Sequence, residues 1–149
     1  MITAPHTYSE WVNVLTTFKN KSNDVDVLTA MKAGTVEWQS GVAERFSKKL
    51  IDAVNFRMNA ASDKFQTDLS RAGGQEGAIV QAILALRKEM CFLAQAMNLP
   101  AFPEKERQHY VNLVVEQANT MQKSLEDSAK SDRSGKLSSI VRNHKVNFF

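Results

Sequence analysis

Proline occurs at only three positions, Pro5, Pro100 and Pro103, and none of them lies inside a periodic run of apolar residues. Proline lacks the backbone N–H and clashes with the preceding turn, so it breaks helices wherever it falls in their interiors. Apolar residues recur instead at i, i+3, i+4 and i+7, and the strict alternation of a half-buried strand is absent. The chain is therefore expected to be all-α, an antiparallel bundle of four to six helices with one long helix and a short basic helix at its C-terminal end.

Local signals divide the chain. Thr7-Tyr8-Ser9-Glu10 has the spacing of a capping box, and Trp11, Val14, Leu15 and Phe18 follow on one face. Asn23 is placed to cap a second helix, with Asp24 and Asp26 near its positive end and Gly34 closing it. A third helix is expected to open at Thr35 and to cover about residues 36–71. Its stripe is Leu50, Val54, Met58, Ala61, Phe65 and Leu69, and Gly73-Gly74 ends it. A fourth, from about Gln75 to Met97, is apolar on nearly every face, which predicts a central position and a buried, inert Cys91. Pro103 is expected at the first position of a fifth helix, whose stripe is Tyr110, Leu113, Val114, Ala118, Met121 and Leu125.

The third helix at about 36 residues would be ~54 Å long against ~35 Å for the fourth. Such an excess requires either a break at Gly41 or cover from elsewhere, such as a second copy of the chain. A homodimer along the third helix is the corresponding expectation.

Charge is distributed unevenly. Residues 130–149 contain Lys130, Arg133, Lys136, Arg142 and Lys145 against Asp132, a formal +4, while residues 1–129 sum to −1. Ser131-Asp132-Arg133-Ser134-Gly135 reads as a linker, giving a bundle domain over 1–129 and a basic amphipathic segment over 130–149. Within that segment Leu137, Ile140, Val141 and Phe148 form an apolar stripe, Lys136, Arg142 and Lys145 fall outside it, and Phe149 follows. An apolar stripe flanked by cations is suited to a partner's groove. The eight residues Lys136, Leu137, Ile140, Val141, Arg142, Lys145, Phe148 and Phe149 are thus the candidate partner-binding set.

Catalytic and cofactor chemistry finds little footing. Glu106 and His109 have the Glu-x-x-His spacing of bundle-borne di-iron sites, but neither His6 nor His144 has the second glutamate such a site requires. Ser134-Gly135-Lys136 resembles the end of a phosphate loop, yet the earlier glycine is replaced by Lys130 and no strand precedes it. The single cysteine excludes an internal disulfide. Met31, Met58, Met90, Met97 and Met121 fit a core that uses thioethers to fill irregular gaps. No enzyme activity, metal or cofactor is expected.

The longest apolar run, Ala78 to Leu86, is about half the ~20 residues of a membrane span. Met1 to Pro5 carries no basic start of a secretion signal, so a cytoplasmic location is expected. The functional expectation is a non-catalytic protein-binding module of the adaptor, immunity or regulatory kind. The alternative is a nucleic-acid-associated regulator whose basic segment contacts phosphates.

Overall fold

A computed structural model describes residues 2–36 and 41–131, with side chains over 2–36 and 41–127. Every regular element in it is helical: α1 (Tyr8–Lys19), α2 (Asp24–Ala33), α3 (Val42–Ala72), α4 (Glu76–Met97) and α5 (Glu104–Ser131). The all-helical bundle expected from the proline and apolar spacing is thus the observed fold. Its contacts divide into two compact units. One is Met1–Arg57 with Gln95–Val111, and the other is Met58–Ala94 with Asn112–Phe149.

In the first unit, α1 begins as its sequence dictates. The Thr7 hydroxyl accepts from the Glu10 N–H at 3.2 Å, and the Glu10 carboxylate accepts from the Thr7 N–H at 3.2 Å. Two donors at the start of the helix are thereby satisfied, and the helix buries Trp11, Val14, Leu15 and Phe18. The turn to α2 departs from expectation. Asn23 occupies the cap position, but its backbone is left-handed (φ 56°), and its side chain makes no capping bond. A side-chain cap needs an extended backbone there; Asn23 instead supplies a left-handed residue, which asparagine tolerates better than most.

The start of the third helix differs most from expectation. Thr35 does not open it. The Thr35 N–H donates to the Pro5 carbonyl at 2.9 Å, its own carbonyl accepts from the Trp11 indole N–H at 2.6 Å, and its hydroxyl lies 2.9 Å from His6 Nδ1. A buried indole N–H needs an acceptor, and supplying one holds Thr35 against the N-terminal segment. The helix begins at Val42 after Gly41, whose φ of +87° few other residues adopt and whose carbonyl accepts from the Arg45 N–H at 3.3 Å. With its start at Val42, α3 has 31 residues rather than about 36.

Gly34 closes α2 for a reason its backbone does not reveal. Its φ of −77° suits any residue. However, a Cβ there would lie 2.8 Å from the Pro5 carbonyl oxygen and 2.9 Å from the Trp11 ring. The N-terminal segment crosses at a distance that only a hydrogen side chain permits.

Arg57 is the one buried charged residue of the described core, at 3% exposure. Its guanidinium donates to the Phe18 carbonyl at 3.0 Å and forms two parallel 3.0 Å bonds to the Asp24 carboxylate. It also sits 4.8 Å from the Phe18 ring centroid. One side chain of α3 thereby holds the end of α1 and the start of α2. The sign of each charge matches the dipole it meets, a cation at α1's C-terminus and an anion at α2's N-terminus.

In the second unit, three residues separate α3 from α4, and Gly73 and Gly74 both take positive φ. Met58, Phe65, Ile79, Ile83, Leu86, Met90, Leu93, Val114, Met121 and Leu125 are buried there. The fourth helix is less central than its composition suggests. Leu84 is 44% exposed, Ala85 is exposed and Cys91 only half-buried, so α4 buries one face and presents another. Alanine and leucine are strong helix formers, and their abundance here reflects propensity as well as burial. All five internal methionines are buried.

Two boundaries near α5 shift. Pro103 lies just before the helix and not at its first position, its carbonyl accepting from the Arg107 N–H at 2.8 Å. At the other end α5 runs through Ser131, the first residue of the expected linker. Among the described residues, no helix is long and apolar enough to cross a membrane.

Two outcomes follow for stability. Asp24→Ala, which strips the buried guanidinium of its counter-charge, should cost roughly 2–3 kcal/mol, and Arg57→Met less, because the part-exposed carboxylate can rehydrate. Urea unfolding of both variants measures this, and the reverse order would contradict the clamp. Gly34→Ala should cost about 1–3 kcal/mol by overpacking and perturb Trp11 emission; an unchanged midpoint would show that the N-terminal segment yields.

Candidate protein-binding surface

The first unit is built on interlocking aromatic rings. Trp11 meets Phe46 edge-on at 5.1 Å between centroids, Phe46 lies 5.8 Å from Phe102, and Phe102 meets Tyr110 edge-on at 5.4 Å. Rings at these separations add roughly 0.5–1.5 kcal/mol per pair beyond their burial. They fix α1, the first half of α3, the loop before α5 and the first turns of α5 as one body. What that body exposes is positioned, not loose.

Two large apolar side chains of this unit remain in solvent: Val25 at 79% exposure and Phe56 at 51%. Each stands beside a member of the buried ion pair, Val25 next to Asp24 and Phe56 next to Arg57. The bidentate bond between those neighbours ties together the two backbone segments that carry them. Lys19, in the last turn of α1, places its ammonium 4.6 Å from the Phe56 ring centroid. Phe56 thus has a cation against its exposed ring, and Val25 stands exposed on the segment that the ion pair ties to it.

A second feature is an open groove of about 490 Å³ along the start of α3. Ala43, Ser47 and Ile51 recur at every fourth position along it, each half-buried. Glu44, Lys48 and Asp52 follow one residue later on the exposed side, and Glu106 of α5 also lines the groove. Ser47 and Tyr110 share a short hydrogen bond between their hydroxyls. Burial pushes the Tyr110 phenol above its ordinary value; the Ser47 bond opposes that shift and the nearby Glu106 carboxylate adds to it.

The eight residues of the sequence-derived set, Lys136, Leu137, Ile140, Val141, Arg142, Lys145, Phe148 and Phe149, lie outside the described residues. Of the Glu-x-x-His pair, Glu106 lines the groove while His109 is exposed. Among the described residues, no three His, Cys, Asp or Glu side chains are grouped as a metal would require. Sequence reasoning did not single out Val25 or Phe56, although helical spacing contains the signal. Each is two residues from a fully buried valine, Val27 or Val54. Two residues correspond to roughly 200° around a helix, which puts an apolar side chain on the solvent side.

The Tyr110 phenol yields an expected pH dependence. Its folded-state value is raised above 10.0, so over the interval above about pH 10 the unfolded chain loses this proton while the folded chain keeps it. Stability from this group is complete below about pH 10 and falls as pH rises toward the folded value. Tyr110→Phe should therefore flatten the alkaline fall in the urea midpoint between about pH 9 and 11. Parallel curves for the two proteins would show that the phenol is not desolvated.

Comparisons with protein-family models, with curated proteins and with solved structures find no match to this chain.

Proposed function

We propose that the chain is a non-catalytic, cytoplasmic protein-binding module of the adaptor, immunity or regulatory kind. It acts through a helical surface on the first unit together with the basic segment 130–149. The observation that carries this reading is the exposure of Val25 and Phe56, each the chain neighbour of one member of a part-buried bidentate ion pair. Single exposed apolar side chains are ordinary on a soluble protein. Two on segments that a bidentate ion pair joins, one of them aromatic, have the makings of an interface centre, where a few rigid side chains supply most of the affinity.

The basic segment contributes differently in this proposal. Leu137, Ile140, Val141 and Phe148 would enter a partner's groove, with Lys136, Arg142 and Lys145 at its rim and Phe149 beside them. Rim cations steer encounter more than they hold the complex. A second copy of the chain is one such partner, since Phe56 lies on α3. The second reading, a nucleic-acid regulator, rests on the +4 charge of residues 130–149.

Affinity capture from a cell extract by the intact chain should retain a protein that Phe56→Ala releases. Phe148→Ala and Ile140→Ala should each weaken the complex by about 1 kcal/mol or more. Replacing Lys136, Arg142 and Lys145 with glutamine should mainly slow association and flatten its salt dependence. The opposite ranking, with charge loss dominant and a labelled DNA or RNA duplex retained in a steeply salt-dependent way, would replace this reading with the nucleic-acid one. Light scattering at micromolar concentration tests self-association; a mass that stays monomeric in the wild type removes the homodimer from the proposal.

A further inference from the structure

We draw no further inference here: the strongest candidate, the open groove along the start of α3 with Ala43 and Ile51 beneath the carboxylates of Glu44, Asp52 and Glu106, is an unpartnered face, and nothing in the structure shows what covers it.

Discussion

The Arg57 guanidinium meets three requirements of the first unit at one point. It satisfies a carbonyl at the end of α1, neutralises a carboxylate at the start of α2, and lies against the Phe18 ring. Without it, two short helices of 12 and 10 residues would rely on packing and on the Trp11–Thr35 bond. Helices of that length are marginal in isolation. Burying a charge is expensive, but the fork of parallel N–H bonds matches a carboxylate better than a lysine ammonium would. A buried pair of this kind need not add net stability over a hydrophobic substitute. What it adds is register: α1 and α2 meet α3 at one position, because one residue offset would leave both charges unpaired.

The left-handed turn between α1 and α2 becomes intelligible on this basis. Lys21 and Asn23 both have positive φ, a conformation that costs on the order of 1 kcal/mol or more for a residue with a Cβ. Asp24 must reach Arg57 while α1 still delivers the Phe18 carbonyl to the same guanidinium. The short connection therefore turns sharply, and Asn23 gives up its side-chain cap to make that turn. The Asp24 carboxylate, at the first position of α2, remains near the exposed N–H groups and supplies the favourable charge there.

Much of the fold was legible in the sequence because its signals are local. The Thr7 to Glu10 box, the stripe from Trp11 to Phe18, the Gly73-Gly74 stop and the apolar periodicity of α5 each depend on residues within a turn or two of one another. What was not legible has the opposite property. Thr35 sits in an extended segment because of Trp11, 24 positions earlier. Gly34 is glycine because Pro5 passes over it, and Arg57 is buried because Asp24 is 33 positions away. Nothing in the neighbourhood of any of these residues records its partner. The candidate surface shows both sides. The helical offset of Val25 and Phe56 was readable, but the bond that brings their segments together was not. The groove residues Ala43, Ser47 and Ile51 form a pattern only once Glu106 is known to line the same groove and Tyr110 to bond Ser47.

Rigidity is what would suit this construction to the binding role proposed above. A flexible surface that must order itself on contact loses part of its interaction energy to conformational entropy, about 0.5–1.5 kcal/mol for each mobile side chain immobilised. Val25 is β-branched and has few rotamers to lose. Phe56 has only two side-chain torsions, and Lys19 already lies against its ring. The backbones beneath both are bound by the same ion pair that fixes α1 to α2. A partner meeting either side chain would find an apolar contact set in advance. Lys19 brings a charge that can remain hydrated until the moment of contact. The side chain that orders the fold of the first unit thus also ties together the segments that carry its two most exposed apolar side chains, and a change at Arg57 would be felt in both.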